Sequence, residues 1–302
     1  MDKKWLLTTK EVADFLNINE KMVYSLIAEK GLPATKVTGK WLFPRHLVEK
    51  WIEKNTVNYP HGPETGEKGL IILCGSNDIL MERALSTFNE KHEDYLCVFA
   101  NLGSMGGIYA LERHRCHIAL SHLMGSTTQD YNFDFLKEHF SHLPAVINFC
   151  MRRQGMLLKR GNPHNISSLR DIASKDIRLV NRKKGTGTRV LLEKRLMEED
   201  IDPSSIQGYG DVVNSHLEVG LRICRGEADV GIGIEAVAHL LGLDFIPWVW
   251  ERFDLIIPRH FFFQKNIQAF LGFLMEKDFR DLASGLKGYD LSLTGRMVFP
   301  SS

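Results

Sequence analysis

The sequence predicts an α/β protein in which a small winged helix-turn-helix precedes a larger, two-lobed α/β domain. The first 55 residues hold two short helical stripes joined by a tight turn, then a hairpin and a third helix. From Gly69 onward, continuous apolar strands alternate with helices, which is typical of a parallel sheet covered on both faces. Between the two parts, residues 56–68 contain two prolines and two glycines without apolar periodicity, which predicts a linker.

The composition is that of a globular protein with room for two or three domains. The chain has 302 residues, of which 44% are hydrophobic and 25% charged. The net charge of +1 excludes a polyanion-binding surface spread over the whole molecule. Residues 1–55 carry ten Lys/Arg against seven Asp/Glu, so only this part is biased toward a polyanion.

Three features predict a cytoplasmic protein with no membrane partner. The opening MDKKWLLTTKEVADFL lacks the apolar segment of a signal peptide. No apolar run approaches the ~20 residues of a membrane-spanning helix. The five cysteines are odd in number and scattered, which favours free thiols in a reducing compartment.

The first 55 residues divide into the elements of a winged helix-turn-helix. Thr8 and Glu11 form a capping box ahead of the first helix. The second helix is predicted over Glu20–Lys30, and Thr38-Gly39 is the turn of a small hairpin. Pro44 then opens a third helix.

In such a module the second helix enters the major groove of DNA, and the wing contacts phosphates. The alternative is a small helical interaction module whose lysines are simply solvated. The candidate DNA contacts are Glu20, Lys21, Tyr24 and Ser25 on the second helix, and Lys36, Lys40 and Arg45 at the wing.

Two motifs in this segment carry a family resemblance: the opening T-x-x-E-V-A-x-x-L and the wing K-V-x-G-K-W-x-F. With them, nearly all of the segment resembles the excisionase/MerR-like helix-turn-helix family. The resemblance implies that this module binds double-stranded DNA.

Three early strands of the larger domain end in small polar residues. GLIILCGS, YLCVFANLGS and HIALSH finish at Ser76, at Ser104 and at Ser121-His122. In open α/β sheets the ligand crevice lies at these carboxyl ends. This series is predicted to form lobe 1, over about residues 69–148 and 256–302.

A second α/β series predicts lobe 2, over about residues 149–255. AVINFCMRRQGMLLKRGNP reads as two strand-like stretches with charges between them, and FIPWVWERFDLIIP returns the chain to lobe 1. Between these lie the strand IRLVN, the loop KKGTGTR that opens a long helix, and the strand GEADVGIGI. The two lobes are therefore joined by crossing strands, with a cleft between them.

The loop KKGTGTR has the character of an anion site. Its glycines let backbone amides point into one concavity, and the helix that follows adds partial positive charge. It is not a P-loop, and it lacks the third glycine of a dinucleotide fingerprint. The alternative is an ordinary connection rich in turn residues, but serines on equivalent loops of the facing lobe favour binding.

The candidate ligand residues follow from these loops. They are Ser76, Asn77, Ser104, Thr186, Gly187, Thr188 and Ser215. Arg189 either contacts the ligand or pairs with an acid on its helix face. His216 either faces the cleft or caps its helix.

Five motifs of the larger domain carry a second resemblance: LLKRGNPHNISSLRDIA, LVNRKKGTGTRVLLEKRL, GEADVGIGIEAVA, LDFIPWVWERFDLIIPR and GYDLSLTGRMV. With them, residues from about 69 to 298 resemble the periplasmic-binding-protein superfamily, and specifically its domains fused to excisionase-type modules. The resemblance implies a type II binding-protein fold, and related domains bind molybdate, tungstate or similar small anions. VVNSHLEVG departs from the T-H-x-x-V-A of relatives, which leaves the identity of the ligand open.

No motif predicts catalysis, a metal site or a cofactor. The chain has no G-x-S-x-G elbow and no H-E-x-x-H, and its histidine pairs lack further ligands at zinc spacing. We therefore expect a ligand-responsive transcription regulator that binds DNA as a homo-oligomer and senses an oxyanion, with molybdate or tungstate as the expected ligand. The alternative is a storage protein or enzyme of molybdenum or tungsten cofactor metabolism with a protein-docking N-terminal module.

Overall fold

The computed structural model describes residues 4–57, 69–125, 131–174 and 176–300. Contacts divide the chain into two compact units, residues 1–63 and 64–302. Most of the predicted 56–68 linker lies outside the described residues. Within the described ranges, none of the helices has the length and apolar character needed to span a membrane.

The N-terminal unit has three helices and a small sheet within its described residues. The strands form an antiparallel sheet in the order β1-β3-β2. The elements are β1 (Leu6–Thr8), α1 (Thr9–Leu16), α2 (Glu20–Lys30), β2 (Thr35–Val37), β3 (Lys40–Pro44) and α3 (Arg45–Asn55).

Local sequence chemistry explains most of this unit. Thr8 and Glu11 make the predicted capping box at the start of α1. Thr38 and Gly39 both have positive φ, at 48° and 80°, as the tight hairpin turn between β2 and β3 requires. The sequence does not predict β1, because three residues are too few to show a period.

Lobe 1 of the second unit contains a parallel three-stranded arrangement flanked by helices. Strand β4 lies between β5 and β6 and pairs with both in parallel. Its elements are β4 (Leu70–Gly75), α4 (Ile79–Lys91), β5 (Leu96–Asn101), α5 (Gly103–Glu112), β6 (Ile118–Ser121) and α6 (Phe133–His139), with α11 (Arg259–Phe262), α12 (Lys265–Phe273) and α13 (Lys277–Ser284) from the C-terminal part.

Two long strands cross from one lobe to the other. Strands β7 (Ala145–Leu158) and β11 (Asp244–Ile257) pair antiparallel over almost their whole length. The prediction of two strand-like stretches with charges between them is therefore wrong, because 145–158 is one strand. Arg152 in its middle is fully buried and paired with acids, so its charge does not interrupt the strand.

Lobe 2 completes a mixed sheet that continues through the crossing strands. The strand order is β5-β4-β6-β11-β7-β10-β8-β9, and β12 (Tyr289–Asp290) adds to β7. This confirms the predicted fold class. The remaining elements are α7 (Leu169–Ser174), β8 (Leu179–Arg182), α8 (Gly187–Glu198), a 3₁₀ turn (Pro203–Ser205), β9 (Val212–Val213), α9 (His216–Cys224), β10 (Val230–Ile234) and α10 (Glu235–Leu241).

Candidate functional site

The two lobes of the second unit touch where their strands end. The Met105 amide at the start of α5 donates to the Gly185 carbonyl in the KKGTGTR loop, at 3.0 Å. The Asn101 side-chain amide donates to the Asn214 carbonyl at 3.1 Å. These bonds join lobe 1 to lobe 2, so the structure is a closed form of the cleft.

Gly187 sets how closely the lobes approach. A β-carbon at Gly187 would lie 2.5 Å from ring atoms of His122 and 2.7 Å from its carbonyl oxygen. The neighbouring loop residue Gly185 has φ +82°, a conformation that favours glycine. The glycines of this loop therefore serve lobe closure.

A chain of buried polar side chains runs beneath this contact. Glu251 on β11 accepts from Arg152 Nε through Oε1, at 2.6 Å, and bonds His122 Nδ1 through Oε2, at 2.8 Å. Arg152 Nη1 donates to Asp78 at 2.7 Å. His122 Nε2 lies 3.0 Å from Ser76 Oγ.

The charges in this chain fix its protons. Burial raises the pKa of Glu251, but His122 and Arg152 outweigh that effect and hold the pKa below its usual value. Burial lowers the pKa of His122, although Glu251 opposes it. A neutral His122 beside an ionised Glu251 carries its proton on Nδ1, so Nε2 accepts from the Ser76 hydroxyl.

Arg152 is fully compensated by this chain. Burial opposes its charge, but Glu251 and Asp78 raise its pKa above the ordinary value. One arginine therefore balances two carboxylates, and this part of the site carries a net negative charge.

The charge of Arg182, at the end of β8, is not compensated by an ion pair with a described carboxylate. The side chain is 1% exposed. Its Nη2 donates to the Asn214 carbonyl at 3.0 Å and lies 3.5 Å from Asn77 Oδ1. Its Nε and Nη1 have no hydrogen-bond partner among the described residues. Burial, with the charge of Arg152, lowers the pKa of Arg182 to about 10.

Other buried polar atoms that lack partners within the described chain include both ring nitrogens of His216, Oε1 of Gln154 and Nη2 of Arg152. The ring of His216 lies 6.4 Å from that of His122. Burial and then Arg182 and Arg152 depress the pKa of His216 well below 6.5, so this ring is neutral at pH 7. We call Arg152, Gln154, Arg182 and His216 the interlobe cluster.

Such a cluster is suited to hold an anion. A buried guanidinium without a counter-charge is strongly unfavourable. An oxyanion would supply both the charge and the acceptors that Arg182 lacks. The sequence predicts uncharged donors around the ligand, whereas the interlobe cluster also contains two arginines.

Six of the predicted ligand residues lie at the interlobe cluster or on the polar chain: Ser76, Asn77, Ser104, Gly187, Thr188 and His216. Ser104 Oγ accepts from the His122 amide at 3.4 Å, and Thr188 Oγ1 accepts from Gln154 Nε2 at 3.1 Å, so both hydroxyl hydrogens remain to donate. The donors of Ser76 are already engaged, because its amide donates to the Leu120 carbonyl and its hydroxyl faces His122.

The other three predicted ligand residues have local roles. Thr186 and Ser215 are the N-caps of α8 and α9. Arg189 bonds Glu193 at 2.7 Å, and its guanidinium lies 4.0 Å from the centre of the Tyr209 ring. We therefore leave these three out of the site.

Sequence reasoning missed the groups that dominate the site: His122, Arg152, Gln154, Arg182 and Glu251. A signal for two of them was present. Arg152 and Gln154 interrupt the otherwise apolar run of β7 with a spacing of two, which puts them on the same face of the strand.

The predicted DNA contacts lie on the N-terminal unit. Glu20, Lys21, Tyr24 and Ser25 are exposed on the first half of α2, and Lys36 and Lys40 are exposed on the hairpin. Arg45 differs, because its guanidinium bonds Glu49 at 2.9 Å and lies 5.3 Å from the centre of the Phe15 ring.

Metal ligands are a separate question. Within the described ranges, no group of three or more His, Cys, Asp or Glu side chains is arranged to hold a metal ion.

Comparisons with known proteins found matches for both parts of the chain. A family model described as a helix-turn-helix domain matches residues 6–56. The uncharacterized protein YvgK of Bacillus subtilis is 29% identical over 301 residues, which cover 96% of this chain and 97% of that protein.

Solved structures share the fold of the larger unit. A phosphate ABC transporter substrate-binding protein from Clostridium perfringens aligns over 77% of this chain and 100% of its own, with TM-score 0.56 and 12% identity. A tungstate ABC transporter protein from Geobacter sulfurreducens aligns over 73% and 100%, with TM-score 0.54 and 9% identity. A family model described as the PBP superfamily domain matches residues 85–275, which is more than half of the chain, and the chain therefore belongs to the PBP superfamily.

Proposed function

We propose that this protein is a cytoplasmic, ligand-responsive transcription regulator: its N-terminal unit binds operator DNA, and its two-lobed unit closes on a small oxyanion. The observation that carries the ligand part is Arg182, a buried guanidinium that makes no ion pair with any described carboxylate and leaves two nitrogens without acceptors. The helix-turn-helix match over residues 6–56 supports the DNA part.

Lobe closure supplies the coupling. Arg182 and Gly187 belong to lobe 2, whereas Asn77 and His122 belong to lobe 1, and they come together only when the lobes close. An anion that binds the closed form better shifts the population toward it. A homo-oligomer on a palindromic operator would convert that shift into a change in DNA affinity.

The test combines both activities in one assay. Duplexes selected in vitro by the wild-type protein are titrated by fluorescence anisotropy, with and without phosphate, sulfate, molybdate or tungstate. We expect one or more anions to change the DNA affinity of the wild type, and Arg182→Met to bind DNA without that response. If the wild type selects no duplex, or if no anion alters its binding, the regulator proposal fails.

One observation favours a second candidate, an enzyme. Ser76 Oγ, His122 and Glu251 make contacts of 3.0 and 2.8 Å in the order nucleophile, base and acid, which is the arrangement of serine hydrolases. In that case Ser76 would be the nucleophile. A fluorophosphonate probe that labels the wild type but not Ser76→Ala would support this candidate, and an unlabelled wild type would exclude it.

A further inference from the structure

The acceptor atoms of the interlobe cluster restrict the kind of anion that fits. Gln154 Nε2 donates to Glu251 Oε1 and to Thr188 Oγ1, both at 3.1 Å. An ionised carboxylate can only accept, so the orientation of the Gln154 amide is fixed. Its Oε1 is therefore an acceptor, fully buried and without a donor among the described residues.

His216 adds a second acceptor. The ring is 1% exposed, and neither nitrogen has a partner in the described part of the chain. Being neutral, it offers one N–H and one lone pair. Acceptors therefore accompany the guanidinium donors of Arg152 and Arg182.

The net charge of the site also favours an anion that keeps a proton. Asp78 and Glu251 carry two negative charges, Arg152 and Arg182 carry two positive charges, and His122 and His216 are neutral. The protein therefore offers no excess positive charge to a dianion. A ligand that keeps two protons at neutral pH, as dihydrogen phosphate does, is a monoanion and also donates to the lone pairs.

Resting on the oxyanion site proposed above, we propose that the ligand is an oxyanion that retains an O–H at neutral pH, such as dihydrogen or hydrogen phosphate, rather than a fully deprotonated one such as sulfate, molybdate or tungstate. The retained O–H donates to Gln154 Oε1 or to His216, while the anionic oxygens accept from Arg182. A fully deprotonated oxyanion would set its lone pairs against those acceptors. A buried acceptor left without a donor weakens binding by roughly tenfold or more.

Matched pairs of anions separate protonation from size. Phosphate and sulfate are tetrahedral and similar in size, as are arsenate and selenate, but only phosphate and arsenate keep a proton at pH 7. Isothermal titration of the dialysed full-length protein at pH 7 should give phosphate and arsenate at least about tenfold tighter binding than sulfate and selenate. Molybdate and tungstate should fall with the weak pair.

Two variants locate the selectivity. Gln154→Met removes the fixed acceptor, and His216→Met removes the ring acceptor. At least one of them should reduce the phosphate-to-sulfate affinity ratio several-fold. If one variant fails to fold, the other and the wild-type anion pairs still decide the matter.

The outcomes are distinguishable. Sulfate, selenate, molybdate or tungstate binding as tightly as phosphate would overturn this inference and leave the oxyanion site standing. A ratio unchanged in the folded variants would also overturn it. If none of the six anions binds, the oxyanion site itself fails.

Discussion

Replacing Arg182 with methionine should stabilise the ligand-free protein while removing its anion affinity. Methionine has a similar length and no charge, so the substitution removes the buried guanidinium without leaving a large cavity. The asymmetry between stability and binding is the signature of a residue held for its ligand.

The size of the effect follows from the pKa of Arg182, which burial lowers from its ordinary value to about 10 on folding. At ~1.4 kcal/mol per pKa unit, the folded protein disfavours the charged guanidinium by roughly 3 kcal/mol. The variant also loses the 3.0 Å bond to the Asn214 carbonyl, which contributes about 1–2 kcal/mol. The net gain is roughly 1–2 kcal/mol, and in a unit of this size the melting temperature should rise by about 2–8 °C.

The assay is thermal unfolding by circular dichroism in anion-free buffer, with anion titration of the same samples. Arg189→Met is the matched control, because Arg189 is also a buried arginine of lobe 2 but is bonded to Glu193 and stacked on Tyr209. The control should be destabilised and should keep its anion affinity. If Arg182→Met is instead destabilised and binds anions as the wild type does, Arg182 is a structural residue and the reasoning is refuted.

Three further predictions follow from single features. Gly187→Ala should weaken anion binding at least about tenfold in isothermal titration, because its β-carbon would collide with His122 in the closed form. Gly210→Ala is the control, because Gly210 has open space around it. Equal anion affinities of Gly187→Ala and the wild type would disprove the closure argument. His216→Asn should flatten the pH dependence of unfolding below pH 6.5. The buried ring of His216 has a depressed pKa, so the unfolded chain takes up the proton first as the pH is lowered. The stability of the wild type therefore decreases by up to ~1.4 kcal/mol for each pH unit below the unfolded pKa. If the variant and the wild type show the same dependence of melting temperature on pH between pH 5 and 8, this prediction is wrong. The double variant Lys36→Gln, Lys40→Gln should have a less steep slope of log DNA affinity against log salt, by about 0.9 per lost phosphate contact. The control Lys50→Gln should keep the wild-type slope. An unaltered slope in the double variant would show that the wing does not contact DNA phosphates.

The fold was predictable because its signals are local. Capping residues, turn glycines and apolar runs report on their own segments, as Thr8 with Glu11 and the Thr38-Gly39 turn illustrate. The strand-end loops around residues 76, 104 and 187 were predictable for the same reason, since the carboxyl ends of strands gather at one edge.

The chemistry of the site was less predictable, because it depends on which charges are compensated. Arg152, Arg182 and Arg189 look alike in the sequence, and all three are buried. Arg152 meets acids from β11 and the β4 loop, Arg189 meets Glu193 one helical turn away, and Arg182 forms no ion pair with a described carboxylate. Only the i, i+4 pair of Arg189 is readable from spacing. The pairs of Arg152 join positions 74 and 99 residues apart, so only the tertiary structure distinguishes the three.

The energy that makes Arg182 costly is also the energy available for signalling. Burying its unpaired charge costs the closed, ligand-free form roughly 3 kcal/mol relative to a solvated guanidinium, which corresponds to a factor of about 150 in an equilibrium constant. An anion removes this cost only in the closed form, because Asn77, His122 and Gly187 surround the site only when the lobes meet. Its differential affinity for the two forms can therefore reach a similar factor, which shifts the population further toward the closed form. An arginine whose charge is already compensated, such as Arg152, would bind an anion about equally in the open and the closed form. It would therefore not shift the population of either form.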